Sequence, residues 1–148
     1  LTDIEALIRE IVIELGLNNM THGINFSTEG TCILVQADPK LIHTIVTNLM
    51  TNAIKYSPDN TDVDVALMCE ADQIKITIRD YGIGIPKDDQ KHMFEIFHRA
   101  TNVGTIQGTG LGLIIVKQSV EAHGGTLEFI SEENQGTTFI ARLPLQTL

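Results

Sequence analysis

Helical and strand periodicities interleave along this chain, and together they predict a single α/β domain. Three observations carry that expectation. Apolar residues recur at helical spacing from Leu41 to Ile54. Ile74, Ile76 and Ile78 line one face of a strand, with polar residues between them. Two further strand-like runs, 126–131 and 137–143, close the chain after another helical segment. At 148 residues with 43% hydrophobic content, the chain is long enough and apolar enough to bury one real core.

Taken in order, Thr2-x-x-Glu5 reads as a capping box opening a helix to about Leu15, with Ile4, Leu7, Ile8, Ile11 and Leu15 as its stripe. Gly16 and Asn18-Asn19 suit its end. Short strands are expected near Ile24–Ser27 and Cys32–Gln36, split by a turn at Glu29-Gly30. Asp38-Pro39 then supplies an N-cap and a favourable first helical residue for a helix running to about Tyr56, stopped by Pro58. Asp62–Glu70 and Gln73–Asp80 read as an antiparallel hairpin. A short helix over Lys87–Phe94 is followed by a stretch, His98 to Thr109, with few apolar anchors and the character of a mobile loop. The last helix has Leu113, Val116, Val120 and Ala122 as inward residues and ends at His123-Gly124-Gly125. Cys32 and Cys69 form no close-spaced motif, and Cys69 extends the row Val63, Val65, Leu67 as a buried thiol of a reducing compartment. No repeat, low-complexity tract or interdomain linker is visible, and a start at Leu1 reads as a fragment of something longer.

The formal net charge of −9 argues against a nucleic-acid surface, which needs a basic stripe. No apolar run approaches the roughly 18 residues of a membrane helix. An anionic ligand must therefore be held by local features. Asn48, Asn52 and Lys55 supply one such feature: they fall at i, i+4 and i+7 and project from one helix face. Asn is a mediocre helix former, so two of them a turn apart followed by Lys point to ligation. A carboxamide oxygen suits Mg²⁺ and an ammonium suits phosphate, although a solvated polar face would read alike. Asp80 is the next residue on the inward face of Ile74, Ile76 and Ile78, where a carboxylate is costly unless something hydrogen-bonds to it. Gly82 and Gly84 follow at alternate positions, allowing positive φ and close approach of a flat ligand, or marking an ordinary turn. Gly108, Gly110 and Gly112 run into a helix start, a natural phosphate cradle that fits neither a Rossmann nor a Walker pattern.

The order Asn48-Leu49-x-x-Asn52-Ala53-x-Lys55-Tyr56, Asp80-x-Gly82-x-Gly84, Phe94-x-x-Phe97 and Gly108-Thr109-Gly110-Leu111-Gly112-Leu113 resembles the ATP-binding catalytic domain of sensor histidine kinases. That family is grouped with the ATPase domains of gyrase, the heat-shock chaperones and mismatch repair. The resemblance spans nearly the whole chain, down to Gly136-Thr137-Thr138-Phe139 and Leu143-Pro144. It implies a two-layer α/β sandwich, a mixed and mainly antiparallel sheet of about five strands backed by three helices, with residues 1–148 one catalytic domain and 98–109 a mobile lid over ATP. It also implies Mg²⁺-ATP as cofactor. Asn52 resembles the metal ligand, Asn48 lines the phosphate end, and Lys55 is similar to the lysine reaching the phosphates. Tyr56 matches an aromatic beside adenine, and Asp80 matches the acceptor of the exocyclic amine. Gly82, Ile83, Gly84 and Ile85 border the base, while Gly108, Thr109, Gly110, Leu111, Gly112 and Leu113 flank the phosphates. Arg99 resembles a lid arginine that stabilises the transferring phosphoryl group, and Thr137 shares a water with Asp80.

What the resemblance implies is a kinase domain lacking its acceptor. None of His22, His43, His92, His98 and His123 sits in the acidic, proline-containing helical context of the family's phosphoacceptor. The expected partners are a helical dimerisation and phosphoacceptor domain and, downstream, a response regulator, in the cytoplasm, from a parent chain that can be membrane-anchored. Hydrolysing relatives generally carry Glu one turn before the metal-binding Asn. Here that position is Asn48, which takes no proton, so transfer is favoured over hydrolysis. The competing readings are an ATP-hydrolysing switch or serine kinase of the same fold, and a degenerate nucleotide-binding module.

Overall fold

The computed structural model describes residues 1–32, 34–95 and 111–145. A two-residue strand β1 (Thr2–Asp3) leads into helix α1 (Ile4–Asn18), then β2 (Gly23–Glu29) and β3 (Leu34–Val35). Helix α2 (Pro39–Lys55) precedes the hairpin β4 (Asp62–Cys69) and β5 (Gln73–Asp80). One helical turn, α3 (Lys87–Gln90), is followed by α4 (Gly112–Ala122), β6 (Thr126–Glu132) and β7 (Gly136–Pro144). The main sheet has the order β2-β4-β5-β7-β6, and β1 pairs with β3 in a separate ribbon. β2 runs parallel to β4, and the other neighbours in the main sheet are antiparallel.

The two-layer sandwich follows from the periodicities. Val63, Val65 and Leu67 of β4, Ile74, Ile76 and Ile78 of β5, and Phe139, Ala141 and Leu143 of β7 are buried on one face of the sheet. They meet Ile4, Ile8 and Ile11 of α1, Ile42, Ile45, Leu49 and Met50 of α2, and Val116 and Val120 of α4. This is a single core between one sheet and one helical layer. Among the described residues, no helix is long and apolar enough to cross a membrane.

Several expectations need correction. The N-cap of α1 is Asp3, whose carboxylate accepts the Ala6 N–H at 3.0 Å, while Glu5 pairs with Arg9 instead of closing a capping box. Thr2 is thereby released, and its hydroxyl donates to the Ala37 carbonyl. The helix at Lys87 ends at Gln90, and Phe94 lies beyond it, edge-on to Phe129 with centroids 6.0 Å apart. In α4 the third inward residue is Ser119, not Ala122, which is exposed. Ser119 is tolerated there because its hydroxyl donates to the Ile115 carbonyl. Cys69 is not a free buried thiol. It is half-buried and disulfide-bonded to Cys32. Asp38-Pro39 starts α2 as expected, with Asp38 accepting the Lys40 N–H at 2.9 Å.

Candidate nucleotide site

The polar face of α2 meets the start of α4. Asn48 donates its amide N–H to the Thr44 carbonyl at 2.7 Å, one turn back, which fixes the rotation of the amide. A side chain built on Gly112, the first residue of α4, would lie 3.6 Å from Asn48 Oδ1 and 3.9 Å from both amide atoms of Asn52. The absence of a side chain there leaves a niche with two carboxamides on one wall and the positive end of a helix dipole on another. Leu111, the N-cap of α4, offers no side-chain acceptor to the first-turn N–H groups. Lys55 is exposed at the last turn of α2, its ammonium 5.7 Å from the ring centroid of half-buried Tyr56.

Asp80 closes the inward row of β5 and is buried, 7% exposed. Its Oδ1 accepts two backbone N–H groups, from Gly82 at 2.9 Å and Thr137 at 3.2 Å. Burial raises its pKa above the usual carboxylate value, and those two bonds oppose the rise. Both bonds converge on one oxygen, and neither uses Oδ2. Tyr81 faces the other way, its hydroxyl donating to Asp64 and its ring lying under the Arg79 guanidinium.

The two glycines after Asp80 have an internal reason as well as an external one. A side chain at Gly82 would overlap the Tyr56 carbonyl oxygen, and Ile83 N–H donates to that same oxygen at 3.1 Å. Gly84 adopts φ +68, and a side chain there would overlap the Glu132 carbonyl oxygen. The turn is therefore packed between the end of α2 and the β6–β7 connection. Ile85, itself buried, donates its N–H to Ser131 Oγ at 2.8 Å.

Ser131 was not singled out from the sequence, yet it organises this wall. Its hydroxyl donates to the Gly136 carbonyl, so the 2.8 Å contact with Thr137 is one in which Thr137 donates. Gln90 adds bonds from its amide to the Ile85 and Ser131 carbonyls, both 3.1 Å. The signal was available: Leu127, Phe129 and Ser131 form an inward row on β6 that ends in a polar residue, as the row on β5 ends in Asp80. A second missed group is His22, buried beside the C-terminal end of α2. Ser57 Oγ gives its proton to the Ala53 carbonyl and so accepts from His22 Nε2, while Thr21 donates to Nδ1 at 3.0 Å.

The structure thus brings Asn48, Asn52 and Gly112 together, and gathers Asp80, Gly82, Ile83, Gly84, Ile85 and Thr137 at the turn beside Tyr56. Leu111 and Leu113 are half-buried at the start of α4. Arg99, Gly108, Thr109 and Gly110, with Phe97 and the expected lid, lie outside the described residues.

Residues 37–147 match the family model described as histidine kinase-, DNA gyrase B- and HSP90-like ATPase. The chain belongs to that family. Within it, the chain is similar to the sensor-like histidine kinase SenX3 of Mycolicibacterium smegmatis, 36% identical over 145 residues, covering 96% of this chain and 38% of that protein. Among solved structures it is similar to the mycobacterial sensor histidine kinase MprB, with TM-score 0.86, 28% identity and 99% coverage of both chains. It is also similar to full-length ShkA in complex with AMPPNP, with TM-score 0.84 and 25% identity, over 99% of this chain and 31% of that one. The chain therefore spans about a third of the length of such full-length kinases. As in other members of this ATPase family, its helices and sheet form the α/β sandwich that the motif order implied.

Proposed function

We propose that this chain binds Mg²⁺-ATP in the site bordered by α2, the Asp80–Ile85 turn and the start of α4, and presents the γ-phosphoryl group for transfer to a histidine on a separate helical domain. The observation that carries this reading is the niche at Gly112, where Asn48 and Asn52 face a glycine-opened helix N-terminus. Amide oxygens and helical N–H groups are the donors and acceptors that a metal-bound polyphosphate requires. Asp80 accepts the exocyclic amine of adenine at the other end, with Thr137, Gly82, Ile83, Gly84 and Ile85 framing the base beside Tyr56. Similarity to a kinase solved with AMPPNP supports a nucleotide as the ligand.

Among the described residues, no group of three or more His, Cys, Asp or Glu could hold a metal ion. The donor set fits Mg²⁺ brought by the phosphates, which Asn52 would hold through its amide oxygen. When bound, that ion neutralises phosphate charge. Lys55 and Arg99 are the chain's own cations for the phosphates, and Asn48 lines their end of the site without offering a base. The acceptor histidine, its helical dimerisation domain and the response regulator belong to the rest of a cytoplasmic two-component pathway.

Calorimetry tests the reading directly. ATP binding should require Mg²⁺, and Asn52→Ala should weaken it at least tenfold, about 1.4 kcal/mol or more. Equal ATP affinity in the variant and the parent chain would refute the assignment of Asn52.

A further inference from the structure

Cys32 and Cys69 lie outside the proposed nucleotide site, joined across 37 positions of sequence with their Cα atoms 5.3 Å apart. Their approach is built into the backbone. Gly30 turns the chain after β2 at φ +82, and a side chain there would overlap the Cys69 carbonyl oxygen. Only glycine lets the segment after β2 press onto the end of β4 in this way. Both cysteines are half-buried at the margin of the sheet, packed against the core but not part of its buried interior. Both residues keep part of their surface in solvent, the access that exchange with small thiols and disulfides requires.

The bond adds a covalent tie to a segment whose other anchors are the packing of Val35 and Ala37 on the core and a few hydrogen bonds. β3 has two residues and, among the described residues, pairs with the two residues of β1, too small a ribbon to be stable by itself. That segment nonetheless feeds three helices. The Ala37 carbonyl accepts from Thr2 at 2.8 Å, just before α1, and Asp38 caps α2. The Asp38 N–H donates to His123 Nε2 at the end of α4, 3.2 Å away.

We infer that Cys32 and Cys69 form a reversible redox-modification site whose state sets how firmly the β1–β3 ribbon and the entry to α2 are held to the sheet. The oxidant is a low-molecular-weight disulfide of the glutathione class. One cysteine thiolate attacks a sulfur of that disulfide, breaking its S–S bond, forming a mixed disulfide and releasing one small thiol. The second cysteine then attacks the protein sulfur of the mixed disulfide, forming the Cys32–Cys69 bond and releasing a second small thiol. Two electrons and both cysteine protons end on the two thiols released.

The purified chain equilibrated in glutathione mixtures of graded oxidation tests this by alkylation and mass spectrometry. The link should form within the monomer in oxidised glutathione and be lost in excess reduced glutathione. The linked form should melt roughly 5–10 °C higher. Amide exchange at Leu34 and Val35 should slow at least tenfold in it, while exchange over 48–56 stays the same. The double variant Cys32→Ser, Cys69→Ser should melt with the reduced protein and ignore the glutathione ratio. Failure of the link to form in oxidised glutathione would overturn the inference. So would its survival in excess reduced glutathione, or identical exchange at Leu34 and Val35 in the two states.

Discussion

Asp80 is the residue on which the proposed choice of adenine and stability pull in opposite directions. Its carboxyl is buried, and burial raises its pKa above the ordinary value of 3.8, against two backbone hydrogen bonds that lower it. A folded-state pKa above the unfolded one means that the folded chain holds the proton more tightly. Its contribution to stability is therefore greatest at low pH and is lost as pH rises from 3.8 through the folded value. Asp80→Asn keeps an oxygen for the Gly82 and Thr137 N–H groups but carries no charge. The variant should melt higher than the parent chain at neutral pH, and the gain should shrink to nothing as pH falls below 3.8. It should also bind ATP about tenfold or more weakly, because an amide N–H donor would then face the donating exocyclic amine of adenine, and it should lose preference for ATP over GTP. Melting curves across pH, beside ATP and GTP titrations, check both halves; an unchanged ATP preference would remove Asp80 from base recognition. Asp80 was legible in the sequence because a carboxylate ended an inward apolar row, and Ser131 was legible by the same rule. His22 was not. Its burial depends on Ser57, 35 positions away, and no local pattern encodes that meeting. The Cys32–Cys69 bond escaped for the same reason, since spacing alone does not say which strand ends adjoin.

Among the elements, those with several turns or alternations were readable with their bounds, whereas the shortest were either overdrawn or, like β1, not expected. α2 announced itself by a cap, a proline and a long apolar stripe, and β4 and β5 by strict alternation. β3 and α3 were expected, over Cys32–Gln36 and Lys87–Phe94, but both are shorter than that, because tertiary contacts set their bounds: the ribbon with β1 for one, the bonds of Gln90 for the other. α2 also carries a liability. Thr47 Oγ1 is buried without a hydrogen-bond partner, whereas Thr44 on the same helix donates to the Lys40 carbonyl. Thr47→Val replaces that hydroxyl with a methyl of the same shape, and should stabilise the chain by roughly 1 kcal/mol without changing ATP affinity. Denaturant unfolding measures it, and a loss of stability would mean that the hydroxyl has a use in the folded chain. The turn after β5 makes the opposite case. Gly84→Ala meets both a positive φ and the Glu132 carbonyl, so it should cost about 2 kcal/mol or more in the same measurement. If Gly84 served only ligand approach, the variant would instead retain its stability and lose only nucleotide affinity.

For the whole molecule the governing fact is that an acidic chain, formal net charge −9, is read as holding a polyanion. Long-range attraction is absent, so on the proposed reading binding would depend on short-range groups: the carboxamides of α2, the N-terminus of α4, Lys55 and a metal accompanying the phosphates. The same composition bears on chemistry. By the resemblance to hydrolysing relatives, Asn48 would occupy the position of their base, and none of the histidines has an acceptor's sequence context. Alone, the chain should therefore bind ATP, show negligible self-phosphorylation and hydrolyse ATP only slowly. Mixed with a helical domain that presents an acceptor histidine, it should transfer the γ-phosphoryl group in trans, the partner supplying nucleophile and base. Label from γ-labelled ATP should appear on that partner in acid-labile, base-stable form, as phosphohistidine does. Arg99→Ala should lower the transfer rate more than it weakens ATP binding, because charge on the transferring group peaks in the transition state and not in the bound nucleotide. Rapid hydrolysis by the isolated chain would favour a conformational-switch ATPase of the same family. Acid-stable label on serine or threonine would favour a serine kinase, and either result would displace the histidine-kinase reading while leaving the nucleotide site in place.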